Sequence, residues 1–207
     1  MNRRELLGAA SLGALALITG TRNAAAKMVP PWVWTKKHGL TNNMIKDKAP
    51  LENEFDKYPR CPYCGMPRKK WSHTRHLIQY DDDSTEGTCS IHCASLSLAL
   101  NMDRNPKNIW VGDAGSDAKV KPLIKVEAAH YALQPGKMGT MTGNRKWAYA
   151  DMAKAKATGG KVVGFDEALQ ASYEDMAQST LAIRKRRAEK RAHMAKKMKM
   201  MKMKKSN

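Results

Sequence analysis

No apolar run in this sequence is long enough to cross a bilayer. The longest, residues 6–18, is broken by Gly8, Ser11 and Gly13, and it stops well short of the roughly 20 residues a membrane-spanning helix requires. Cysteine is scarce too: four residues in 207, none of them close to residue 26, so no thiol is placed there for a lipid anchor. Acid is nearly missing from the C-terminal end, where Glu189 stands alone against twelve lysines and arginines between residues 184 and 205. Most of the formal charge of +18 therefore sits in one tail.

What the N-terminal end does contain is a basic start (Arg3-Arg4), a short apolar core and Ala24-Ala25-Ala26. That order is the pattern of an export signal. We expect a signal over residues 1–26, cleavage near Ala26 and a periplasmic protein. The paired arginines resemble a twin-arginine signal, although Asn2 stands where Ser or Thr is usual. Export in the folded state would let a thiol-rich site be formed before it meets an oxidising compartment.

The cationic tail also holds Met194, Met198, Met200, Met201 and Met203, with His193. Export argues against nucleic acid as its partner and leaves an anionic membrane surface. Thioethers are soft, neutral ligands, so the same tail is also a candidate collector of Cu(I), opposed by repulsion from its own lysines.

Residues 27–55 carry Pro30-Pro31, Trp32 and Trp34 with little periodicity and read as an irregular extension. From 56 to 169 there is chain for one compact domain. Alternation predicts strands over 73–80 and 86–90, a helix over 91–102 and a strand over 108–112. The order then repeats, with strands over 125–133 and 144–148, an Ala-rich helix over 149–158 ended by Gly159-Gly160, and a strand over 161–165. The fold class expected is α+β, built as two successive ββαβ modules, each sheet covered by its own helix. Residues 170–207 read as a helix running into the Lys/Met tail.

The four cysteines form two close pairs, Cys61-Pro62-Tyr63-Cys64-Gly65-Met66 and Cys89-Ser90-Ile91-His92-Cys93. Thiolates two or three residues apart reach one ion without spanning the fold, and soft sulfur selects Cu(I), Zn(II) or iron–sulfur centres over hard cations. Three other readings stay open: a dithiol oxidoreductase using Cys61 and Cys64, a pair of structural disulfides, and a closed four-thiolate zinc site serving as an interaction module. The first is weakened because no strand precedes Cys61, and Gly65 and Pro67 follow at once. Methionine separates copper from zinc, since Met66, and Met138 and Met141 on the Gly-flanked loop 136–143, are donors Cu(I) accepts readily and zinc does not.

Cys61-Pro62-Tyr63-Cys64-Gly65-Met66, Lys137-Met138-Gly139-Thr140-Met141 and Gly159-Gly160-Lys161-Val162-Val163-Gly164-Phe165-Asp166-Glu167, in that order, resemble the NosL-type copper-binding accessory proteins associated with nitrous oxide reductase maturation. The resemblance implies a fold of two ββαβ modules, a Cu(I) site, no enzymatic activity, and a copper enzyme or another copper carrier as partner. It places the family's first motif on Cys64 and Met66, with Cys61 beside them, and the family's Met loop on Met138 and Met141. Where many members have histidine after the second loop methionine this chain has Thr142, which leaves His73, His76, His92 and His130 as candidate imidazoles. Members are commonly lipoproteins, and the Cys89/Cys93 pair and the tail are departures from the pattern. The ligand set expected is Cys61, Cys64, Met66, Cys89, Cys93, Met138 and Met141, for Cu(I) with Zn(II) as the alternative ion.

Overall fold

The computed structural model describes Val33 and residues 44–205. The expected signal over 1–26, Trp32 and Trp34 lie outside the described residues. By its contacts the chain divides into Met1–Leu40 and Thr41–Asn207, and every element named below belongs to the second unit.

Strands β1 (Ile45–Lys46), β2 (His76–Tyr80), β3 (Ser84–Thr88), β4 (Pro106–Gly112) and β5 (Leu123–Lys125) pair antiparallel in the order β1-β3-β2-β4-β5. Helix α1 (Glu54–Lys57) precedes β2, and α2 (Ile91–Leu100) joins β3 to β4. The second sheet holds β6 (His130–Gln134), β7 (Arg145–Tyr149) and β8 (Lys161–Val163) in the order β7-β6-β8, with α3 (Met152–Ala157) before β8. In each module the first strand lies between the second and the third, as β3-β2-β4 and as β7-β6-β8. The fold is α+β, and the two ββαβ units read from the pattern are present.

Period 2 on the strands decides which residues meet. Ile78 and Tyr80 of β2, Ile109 and Val111 of β4, Tyr131 of β6, Ala148 of β7 and Val163 of β8 share one core with Ile91 and Ala94 of α2. Burial of this apolar surface, at about 25 cal/mol per Å², is what joins the two modules. Helix α3 covers the opposite face of the second sheet, where Ala155 packs with Ala132 and Tyr149. Asp151 caps it, its carboxylate accepting from the amides of Ala153 and Lys154.

Several boundaries differ from expectation. The run 125–133 breaks into β5, a 3-10 turn over Val126–Ala128 and β6, because a single strand cannot pair in both sheets. The second strand lies over Ser84–Thr88, two residues earlier than expected, and the last strand stops at Val163. Residues 44–57 contribute the edge strand β1 and helix α1 to the first sheet.

Helix α4 (Phe165–Lys205) begins with Asp166 and Glu167, acids that complement its positive N-terminal end. Ala168 and Ser172 are buried, whereas from residue 177 onward every described side chain is exposed. Among the described residues, no helix is long and apolar enough to cross a membrane.

Candidate metal centre

Between α1 and β2 the chain makes a tight hairpin. The Cys61 amide donates to the Met66 carbonyl at 3.0 Å, the Gly65 amide donates to the Cys61 carbonyl at 2.9 Å, and Arg60 and Pro67 close the bridge beneath. Gly65 adopts φ +73°, a left-handed conformation that glycine takes without steric cost. Cys61 therefore neither follows a strand nor opens a helix, the setting that activates a redox dithiol.

The second pair is placed by the junction of β3 and α2. Cys89 follows the last residue of β3, and Cys93 lies in the first turn of α2. Hairpin and junction meet, and the four Sγ atoms all lie within 4.8 Å of one another. Cys64 Sγ is 3.3 Å from Cys89 Sγ and 3.8 Å from Cys93 Sγ, and Cys89 Sγ is 3.7 Å from Cys93 Sγ. All four are free. These separations far exceed a disulfide bond of about 2.05 Å. They lie near the edge, about 3.8 Å, of a tetrahedron whose metal–sulfur bonds are about 2.3 Å.

Cys61, Cys89 and Cys93 are buried, while Cys64 is partly open. The thiols of Cys89 and Cys93 hydrogen-bond to the Cys61 sulfur and hold it well below the ordinary thiol range, with the amides of Tyr63 and Cys89 assisting. The same contacts hold Cys89 and Cys93 above that range.

A charged frame fixes the hairpin. Arg68, fully buried, donates to Glu54 Oε2 at 3.0 Å and to the carbonyls of Tyr58, His76 and Thr88. Arg75 binds the other oxygen of Glu54. The guanidinium of Arg68 lies over Gly87, where a Cβ would come within 2.4 Å of Arg68 Cζ. Tyr63, inside the first cysteine pair, donates to Glu86 Oε1 at 2.8 Å and so ties the hairpin to β3. Burial raises the Glu86 carboxyl above its usual range. Glu54, Arg68, Arg75 and Gly87 carry no local signal, and the packing of α1 and the hairpin against β2 and β3 brings them together.

Met66 packs against the cysteine cluster with Trp71. Met138 and Met141 sit on the loop after β6, 75% and 41% exposed. Thr140 between them is buried and tied to the thiols: its hydroxyl is 3.0 Å from that of Thr74, which donates to the Cys89 carbonyl at 2.8 Å. Among the described residues no histidine joins the sulfur cluster. Both ring nitrogens of His76 are engaged, by the Thr74 carbonyl and the Tyr131 hydroxyl. His73 lies against Trp71 and Trp147, His130 opposite Tyr149 in the second sheet, and His92 beside Cys93 on α2.

A family model described as NosL matches residues 52–173. The chain belongs to the NosL family. The matched span contains the cysteine cluster, Met66 and the methionine loop, and it ends shortly before α4 leaves the core. No curated protein matches this NosL-family chain. Among solved structures it is similar to the copper chaperone NosL from Shewanella denitrificans, at 20% identity, over 61% of this chain and 98% of that one, with a TM-score of 0.47.

Proposed function

We propose that this chain is an exported accessory protein that binds Cu(I) at Cys61, Cys64, Cys89 and Cys93 and holds or delivers it for a copper enzyme such as nitrous oxide reductase. The convergence of four free thiols from two separate segments carries the reading. Membership of the NosL family and the thioether of Met66 at the edge of the cluster favour copper, since zinc makes little use of thioethers. The partly open Cys64 is the sulfur an incoming ligand reaches first, and Met138 on its exposed loop is an exchange ligand for hand-over. Nothing in this role requires turnover of a substrate bond, so the chain acts as a carrier and not as an enzyme. The exposed cationic part of α4 is proposed to rest on an anionic membrane surface.

The sulfur spacing also fits a second reading, a closed zinc site. Anaerobic metal analysis with X-ray absorption separates the two. Copper binding predicts a low-coordinate sulfur shell, lost in Cys64→Ser with Cys61→Ser, and an ion that a Cu(I) chelator removes. A single zinc in a four-sulfur shell that Cu(I) does not displace would overturn the copper reading.

A further inference from the structure

Four thiols are more than a low-coordinate Cu(I) shell uses, and they are not equivalent. Cys61, Cys89 and Cys93 are buried, whereas Cys64 is partly open to solvent. Cys64 Sγ lies 3.3 Å from Cys89 Sγ and 3.8 Å from Cys93 Sγ, so its nearer partner in the second pair is Cys89. A covalent bond between Cys64 and Cys89 would shorten their separation by roughly 1.2 Å, to about 2.05 Å. The hairpin tip has room for that movement. Gly65 follows Cys64, and a Cβ at Gly65 would meet nothing within 4 Å.

We infer that the cluster reduces the copper it takes up: Cys64 and Cys89 give two electrons to two Cu(II) ions, and Cys61 with Cys93 keeps one of the Cu(I) ions formed. Among divalent first-row ions Cu(II) binds a site of this kind most tightly, and the open Cys64 is where it arrives. The Cys64 thiolate passes one electron to the first Cu(II), and its electron-poor sulfur bonds to the Cys89 thiolate 3.3 Å away. The odd electron of that new bond goes to a second Cu(II). Two S–H bonds are lost and one S–S bond forms, two protons leave to solvent, and two Cu(II) become two Cu(I).

An isolated thiol has no neighbour to capture its oxidised sulfur. The meeting of the hairpin with the junction of β3 and α2 supplies one, and an accessible thiol beside a resolving cysteine is the arrangement that oxidises reversibly. Thiol–disulfide exchange with a protein dithiol, attacking at the open Cys64 sulfur, transfers the disulfide to that dithiol and restores the reducing pair. The reduction is stoichiometric, one disulfide for each loading, as suits a carrier. This inference rests on the reading of the chain as a copper carrier and adds the oxidation state in which its cargo arrives.

The test uses the full chain, reduced and kept free of oxygen, so that added Cu(II) sulfate is the only oxidant. Electron paramagnetic resonance should show two equivalents of Cu(II) signal lost per chain and a third retained. Alkylation and mass spectrometry should then find Cys61 and Cys93 free and a Cys64–Cys89 cross-link. Cys89→Ser should slow the loss of signal at least tenfold, and the wild-type cross-link decides the matter even if that variant does not fold. A persistent Cu(II) signal, loss of all four thiols, a Cys61–Cys64 cross-link, or an unchanged rate in a folded Cys89→Ser would overturn the inference. A parallel titration with Cu(I) reads the carrier role separately. A chain that binds Cu(I) yet leaves Cu(II) unreduced loses this inference alone, whereas one that forms the cross-link but retains no Cu(I) loses the proposed function and keeps the reducing pair.

Discussion

The Tyr131 hydroxyl and His76 Nε2 lie 3.1 Å apart, joining the central strands of the two sheets. His76 Nδ1 faces the Thr74 carbonyl at 3.0 Å and must donate to it, so Nε2 is the acceptor and Tyr131 the donor. Thr74 also bonds to the Cys89 carbonyl and to Thr140. One short chain of polar contacts therefore links the module junction, the thiol cluster and the methionine loop.

This pair has a pH signature. Burial holds the His76 imidazole down to about 3, against about 6.5 in an unfolded chain. Between those values the unfolded chain takes up a proton that the folded chain refuses. Stability is therefore whole above about pH 6.5 and falls as the pH drops towards 3, by on the order of 4 kcal/mol at the low end. Denaturant unfolding of wild type and His76→Gln at several pH values checks this. The variant should start less stable and show a flatter curve, and equal slopes would refute the assignment.

Tyr131→Phe leaves His76 Nε2 buried without a donor. The expected loss is about 1–3 kcal/mol, read from the midpoint of unfolding at pH 7.

The frame around Arg68 should be more sensitive still. Arg68→Met strands Glu54 with Arg75 alone and frees three carbonyls, and removing one member of a buried ionic group costs about 3–5 kcal/mol. Gly87→Ala drives a methyl into the guanidinium and is expected to destabilise in the same direction. Both should also lower metal affinity, because the hairpin bearing Cys61 and Cys64 is released. Retained affinity in a folded Arg68→Met would show that the hairpin is held by other contacts.

Met141→Gly separates the backbone strain of the loop from the ligand role expected for its thioether. Relief of the left-handed strain should raise stability by about 1 kcal/mol, while the thioether is lost. Thermal unfolding without metal tests the first effect, and Ag(I) binding tests the second.

The exposed part of α4 carries like charges one turn apart, such as Arg187 with Arg191 and Arg186 with Lys190. These pairs oppose helix formation by a few tenths of a kcal/mol each. Salt screens them. Far-UV ellipticity should therefore strengthen with salt in the full chain and not in a chain ending at Ile183. Binding to vesicles containing anionic lipid should show the opposite trend and be lost on that truncation.

The repeated strand–strand–helix–strand order was legible in the sequence because period-2 alternation and the Gly159-Gly160 stop are local signals. The split of 125–133 was not, since nothing local says that one apolar run serves two sheets. The same division applies to the site. Cys61-x-x-Cys64 and Cys89-x3-Cys93 were visible as two metal-binding pairs, but whether they shared one ion was open.

Sequence alone determined which atoms were available: soft sulfur, in short spacings that bring two donors together without help from the rest of the chain. Tertiary structure decided their grouping. The pairing of β2 with β3 and the pinning by Arg68 bring all four thiols within 4.8 Å, while Asp175 turns the loop so that Met141 lines a separate cavity with His92 and Met176. Contacts between residues 25, 29 and 33 positions apart depend on the packing of whole sheets and helices, and no local pattern encodes them.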